Sequence, residues 1–435
     1  MKIQRKKKEE AQWDCLVGMD AHSRQVTLCL TEWEFGSEPR VRKQLAAKLE
    51  NLEKTYLRHV PEGSLTVLEA TANAFVLAKR LQAIGQRAEV VCSTTLAGLA
   101  RSDRINDRID AHNLARAWAR GGARTVHVPG EEEAERRELF FAYRDAGKGL
   151  QSAGNRVWNF CHHLGLPLPK LDCARMPGQV AAWRAERFAP QSAMSLRCQS
   201  LLEEWNRYSE LKAKWTERIE MAVAADPEAA RLMQMMSAGP VVAFALRAFI
   251  GDIRRFETPG QLVAYVGFNP VLCQSGEGKG RGAMTRHGRG DLKWLLVEAA
   301  QNALTFGKDP MHDWARSLVR KGKSKKVALC ALARKMLVQA WHILMGHPPL
   351  SAAPSPNHQR KLAKVARSAD RNGKLSPLGY PKVKDYVLHL CAQTASPPRL
   401  RRLPTARVRG ELSGGKLPLD TPSQSKTSIC ISRKI

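Results

Sequence analysis

Residues 15–30, CLVGMDAHSRQVTLCL, decide how the first third of this chain is read. "CLVGMD" and "VTLCL" are short apolar runs joined by a polar turn, a pattern that predicts a strand hairpin whose first strand ends at Asp20. Outward from it, the composition predicts a charged helix around 41–57. "SLTVLEA" (64–70) then reads as a buried strand ending at Glu69, and "ANAFVLAKRLQAIG" (72–85) as a helix stopped by glycine. "AEVVCS" (88–93) is another strand, "DAHNLARAWARGG" (110–122) another glycine-terminated helix, and "RTVHVP" (124–129) a last strand. Strands alternating with helices in this order predict an open α/β sheet with helices on both faces.

The whole chain has 435 residues, more than one ordinary core accommodates, so two or three folded units are expected. Seventy Lys+Arg against forty-one Asp+Glu leave a net charge of +29, which points to a polyanionic partner, nucleic acid first. A membrane is the rival polyanion. Against it, "GPVVAFALRAFIG" (239–251) is short and holds Arg247, and "MKIQRKKKEE" lacks the apolar segment of a signal peptide. Ten cysteines contain no CxxC pair, which suits a reducing compartment. The expectation is a cytoplasmic protein that does not contact membrane.

Four segments follow. Residues 11–130 are the α/β domain, and 131–231 are largely helical. There Leu201, Trp205, Tyr208, Trp215 and Ile219 form a heptad-like seam, read either as packing within its own domain or as a coiled-coil homo-oligomer contact, dimer or tetramer. Residues 232–350 form a second, mainly α-helical unit. Residues 351–435 carry seventeen Lys+Arg against four acids with many Pro and Ser, and read as a mostly disordered basic tail.

In so basic a chain the positions of the acids are informative. Asp20 and Glu69 end strands, and open α/β sheets place ligands at the carboxyl ends of strands. Asp107 and Asp110, three apart at a helix start, share one face. Singly, each has an ordinary reading as a cap or as an acid favoured at a helix N-terminus. Together, four carboxylates in one cleft call for hard cations such as Mg²⁺, with Mn²⁺ as a substitute. A metal pair can stabilise both the attacking and the leaving oxygen of a phosphoryl transfer.

"GMD", the "LEAT" that follows it, and "NDRIDAHNLA" resemble the DEDD transposases of bacterial insertion sequences, the insertion-sequence 110 family related to pilin-gene invertases. The resemblance implies a ribonuclease-H-like, RuvC-like N-terminal domain whose four acids are Asp20, Glu69, Asp107 and Asp110. Two positions depart from the pattern: Ser23 and Ile105 stand where lysine is common.

Residues 232–305 are similar to the family's second domain. Within them, "RFETPGQLVAYVGFNPVLCQSGEGKGRGAMTRHGRGDLKWLLVEAA" (255–300) holds Arg-Phe, Gln-Leu, Tyr-x-Gly, Pro, Ser-Gly and Thr-x-x-Gly before a Leu-rich helix. The resemblance implies that Ser275 is the nucleophile. Glycines around it let the backbone approach a phosphodiester, and successive N–H groups form anion-binding nests. Lys279, Arg281, Arg286 and Arg289 are the expected contacts to the DNA backbone. A P-loop is excluded because GxxxxGK[ST] is absent. "MMSAGPVVAFALRAFIGD" (235–252) resembles the family's helix–hairpin–helix, with Ser237 in place of the usual first glycine; a buried helix pair is its ordinary reading.

The implied function is a DNA transposase that excises and inserts its element with Mg²⁺, a serine-linked DNA intermediate and a structured guide RNA from the element. Two alternatives stand beside it. One is a metal-dependent junction endonuclease in which water attacks and Ser275 only binds; the other is a non-enzymatic protein that coats nucleic acid.

Overall fold

The computed structural model describes residues 15–34, 37–92, 106–165, 176–235, 237–273, 281–285, 287–307, 310–347 and 355–395. The alternating apolar runs form a six-stranded mixed sheet of order β3-β2-β1-β4-β5-β6. Its strands are β1 (Leu16–Ala21), β2 (Gln25–Glu32), β3 (Arg40–Lys48), β4 (Leu65–Glu69), β5 (Arg87–Val91) and β6 (Thr125–Val126). β1 pairs antiparallel with β2 but parallel with β4, and β4 pairs parallel with β5. One face carries α1 (Leu52–His59) and α2 (Ala74–Ala83), whose Tyr56, Leu77 and Leu81 bury Val17, Met19 and Leu68. The other carries α3 (Asp107–Ala119), whose Leu114 and Trp118 bury Leu16, Leu65 and Val67.

The helix expected around 41–57 is corrected here. Residues 40–48 pair with β2 as an edge strand, and helix begins only at Leu52. Along β3 only Ala47 is buried, so the strand shows no alternation, and its charges decorate a sheet edge. Pairing with β2 overrides the helical propensity of "RKQLAAK".

Two long helices follow, α4 (Glu131–His163) and α6 (Ala193–Ala224), with the shorter α5 (Met176–Arg187) between them. α4 and α6 pack antiparallel. Trp205 is buried with Ala153 and Val157, and Phe140 shares a core with Ile219 and Val223. A Cβ at Gly149 would overlap the Tyr208 ring, so glycine is what admits that ring between the helices. Of the two readings of the heptad seam, packing within the chain is the one observed, because α4 covers Trp205 and Ile219.

A single hydrophobic core then joins Phe140 of α4 to elements as late as Leu390, and so runs across the boundaries expected at 231 and 350. It comprises α7 (Pro227–Leu232), α8 (Pro240–Ile250), α9 (Pro259–Val266), α10 (Gly290–Phe306), α11 (Pro310–Arg320), α12 (Lys325–Leu344), α13 (Pro356–Arg371) and α14 (Val383–Ala395). A two-stranded hairpin, β7 (Pro270–Cys273) with β8 (Arg281–Met284), projects between α9 and α10. α8 is buried along most of its length, which is the buried-pair reading of 235–252, and the Ser237 hydroxyl sits 2.9 Å from His312 Nε2. α12 is long and apolar enough to cross a membrane, a stretch the sequence reading passed over. Its Leu332, Met336, Leu337 and Ala340 are fully buried in this core.

The disordered-tail expectation for 351–435 is overturned over 355–395. Leu362, Val365, Ala366 and Ala369 recur at helical spacing on α13 and are fully buried. Lys361 Nζ donates to the carbonyls of Met233 (3.1 Å) and Met235 (2.7 Å), and Lys364 pairs with Glu220 at 2.8 Å. The high charge of α13 masked its apolar stripe. Residues 396–435 lie outside the described residues.

Candidate active site

Side chains alternate along a strand, so Leu16, Gly18 and Asp20 of β1 face α3, while Val17 and Met19 face α1 and α2. β4 alternates in the same phase, with Leu65, Val67 and Glu69 toward α3. The strands are parallel with Met19 beside Leu68, which sets Asp20 and Glu69 side by side at their carboxyl ends.

α3 supplies the other two acids. Asn106 is its N-cap, accepting from Arg108 N at 3.0 Å, so neither Asp107 nor Asp110 is spent on capping. Gln44 of β3 holds the same turn by donating to the Arg108 carbonyl at 3.0 Å. The helix crosses β1 at Gly18, where an added Cβ would overlap the Ala111 carbonyl. That close approach brings the first turn of α3 over Asp20.

Asp20 and Glu69 carry the field of the acids around them. Burial pushes the Asp20 carboxyl above the ordinary aspartate range; nearby His22 opposes this, while the charges of Asp107 and Asp110 add to it. Burial likewise raises Glu69, reinforced by Asp20 and Asp110. Between two of the acids, His22 Nε2 stands 3.1 Å from Asp20 Oδ2 and 3.3 Å from Asp107 Oδ2. The ligand atoms of Asp20, His22 and Asp107 all lie within 4.8 Å of one another. Asn73, just before α2, donates to the His22 carbonyl at 3.0 Å and fixes that turn. Carboxylate oxygens drawn together at a cost in repulsion suit a hard divalent cation.

In the C-terminal unit, the base of the β7–β8 hairpin is closed by two glycines with positive φ. Gly267 has φ +90° and Gly288 φ +106°, and a Cβ on Gly288 would come within 2.6 Å of the Val266 carbonyl oxygen. Lys293 of α10 donates to the carbonyls of Thr285 (2.9 Å) and His287 (3.3 Å). The Tyr-x-Gly and Thr-x-x-Gly patterns are therefore the two sides of one backbone crossing. Arg289 is turned onto its own domain, 4.6 Å over the Phe249 ring and 3.8 Å from Asp291. Arg281 lies on β8. Ser275, Lys279 and Arg286 lie outside the described residues.

Residues 229–316, which hold this hairpin, match the family described as "Transposase IS116/IS110/IS902 family". Over that segment the chain is similar to this transposase family. It is 23% identical over 295 residues to a "Probable family 20 transposase" of Pseudomonas aeruginosa, covering 67% of this chain and 86% of that protein. It is 24% identical over 285 residues to the "Transposase for insertion sequence element IS1111A" of Coxiella burnetii, covering 64% and 77%.

The family match spans the hairpin, whereas the acidic cluster lies outside that span, on β1, β4 and α3. The structure brings the four predicted acids together and adds His22, which sequence reasoning missed. The available signal was its place two residues after Asp20 in the polar turn. Gly18 was also missed, although it stands in "GMD". Gly18→Ala is expected to cost about 1–3 kcal/mol of stability from overpacking. DNA cleavage should fall roughly a hundredfold, because the displaced helix moves Asp107 and Asp110. Thermal unfolding and a cleavage gel check this; wild-type values in both would show that α3 does not depend on the close approach.

Proposed function

We propose that this chain is a transposase that excises and inserts an insertion sequence by divalent-metal-dependent cleavage and exchange of DNA strands, with Ser275 as the nucleophile. The observation that carries the reading is the convergence of Asp20, Glu69, Asp107 and Asp110 on one face of the sheet, at the carboxyl ends of two parallel strands. This arrangement supports a RuvC-like domain. Mg²⁺ or Mn²⁺, held by the four carboxylates, would neutralise their repulsion and polarise the oxygens of the scissile phosphate. His22 orients Asp20 and Asp107 through its Nε2. The Ser275 oxygen forms a bond to phosphorus as the bond from phosphorus to the leaving deoxyribose oxygen breaks; the serine proton passes to a base and the leaving oxygen takes one up. The partners in this reading are the element ends, target DNA, a structured guide RNA from the element and further copies of the chain, in the bacterial cytoplasm at the nucleoid.

A second reading has its own observation. Among the described residues the acidic cluster draws its side chains from 15–119 alone, which is how a junction endonuclease using water would be made. A nicked DNA substrate that traps cleavage intermediates separates the two. The serine reading expects a protein–DNA adduct, resistant to denaturation and mapped to Ser275, which Ser275→Ala abolishes. Near-normal cleavage by Ser275→Ala would establish water as the nucleophile and overturn it.

A further inference from the structure

α12 presents two faces. Leu329, Leu332, Met336, Leu337 and Ala340 pack into the core. A second stripe, Val327, Cys330, Ala331, Arg334 and Val338, keeps helical spacing along the opposite side and lines a groove of about 770 Å³. Its other wall is Phe268, Pro270 and Met284 at the base of the β7–β8 hairpin, with Trp314 of α11 between. Lys326, Arg334 and Lys335 are its charged lining residues, none of the lining residues is acidic, and Lys335 Nζ sits 4.0 Å over the Trp314 ring. At one end the groove opens onto the turn between α11 and α12. There residues 319–327 are all exposed, and Arg320, Lys321, Lys323 and Lys325 follow one another. Among the described residues, none of these cations stands within ion-pair distance of a carboxylate.

A solvated apolar floor is costly to leave open, and cations along its edge select against acid-poor, uncharged occupants. Unpaired nucleotides meet both demands, with bases on the apolar and aromatic floor and phosphates on the cationic edge. A duplex keeps its bases stacked inside and would use only the cations. We infer that this groove holds an unpaired segment of nucleic acid beside the base of the β7–β8 hairpin, with the α11–α12 turn following its backbone. The inference rests on the transposase reading for its biological role but not for its test.

The test needs no cleavage. Binding of fluorescent oligothymidylate, oligouridylate and a duplex of equal length is measured by anisotropy on the full chain, with Val327→Glu and Arg334→Ala variants. Val327 is exposed, and a glutamate in the first turn of a helix is favourable, so Val327→Glu keeps the fold. Each variant should lose about tenfold in affinity for single strands and less than about threefold for duplex. Photo-crosslinking with a 5-iodouracil oligonucleotide should yield a peptide containing Trp314. The preferred sugar then tells whether the segment is DNA or RNA. Unchanged single-strand binding, or equal losses for single strand and duplex, would overturn the inference. So would a Val327→Glu variant that binds oligonucleotides normally but changes oligomeric state in light scattering, since the groove would then be a protein contact. Groove binding without any DNA cleavage by the wild-type chain would instead count against the transposase reading alone.

Discussion

Asp20→Asn is expected to reduce DNA strand cleavage roughly a hundredfold or more, while DNA affinity stays level or rises. The expectation follows from where Asp20 sits. With Asp107 it stands within ion-pair distance of His22, and the charges of Asp107 and Asp110 act on it from the helix above. Its carboxyl is raised in the folded chain, so ionising it at neutral pH costs stability, and stability is regained as pH falls through the folded-state value. Asparagine imitates the protonated form permanently. The variant should therefore unfold at the same temperature as wild type or higher, and its stability should depend less on pH across the carboxylate range. Removing an anion from a chain of net charge +29 cannot weaken phosphate contacts, except those made through metal. Cleavage gels, anisotropy and thermal melts read the three quantities separately. Binding and activity lost in parallel on an intact fold would count against a catalytic role for this carboxylate.

A chain ending at Leu350 is expected not to fold cooperatively, whereas one ending at Ala395 should melt like the full protein. α13 and α14 place Leu362, Val365, Tyr386 and Leu390 in the core, each at most 3% exposed. Burying one such side chain contributes about 1.5–3 kcal/mol, and a domain has only about 5–15 kcal/mol in total. The shorter chain also strips Lys361 from the carbonyls of Met233 and Met235, and Lys364 from the buried Glu220. The longer chain loses only 396–435, with nine Lys+Arg and two acids. It should bind DNA with a flatter salt dependence and unchanged sequence preference, since diffuse cations act through counterion release. Calorimetry and a salt titration decide this. A native melting temperature for the chain ending at Leu350 would show that the two C-terminal helices are dispensable, and an unaltered salt slope for the chain ending at Ala395 would show that 396–435 does not touch nucleic acid.

Local pattern alone determined a good deal. The runs at 15–30 and 64–70 declared strands because short apolar runs bounded by polar turns fit buried strands better than helices. Asp20 and Glu69 marked strand ends, and Asp107 and Asp110 shared a face at any helix start, whatever the rest of the chain did. The excess of cations announced a polyanion without reference to any fold. Tertiary structure decided what depends on partners distant in the chain. Residues 40–48 became strand because β2 offered them an edge. The seam of α6 met α4 because Gly149 made room for Tyr208. The buried stripe of α13 acquired meaning only when α7 and α6 supplied a surface for it, and its surrounding charge hid it until then. Gly18 and His22 belong to the same class. A glycine in a strand and a histidine in a turn are unremarkable in sequence, and it took a helix laid across β1 to make one the point of contact and the other the bridge between Asp20 and Asp107.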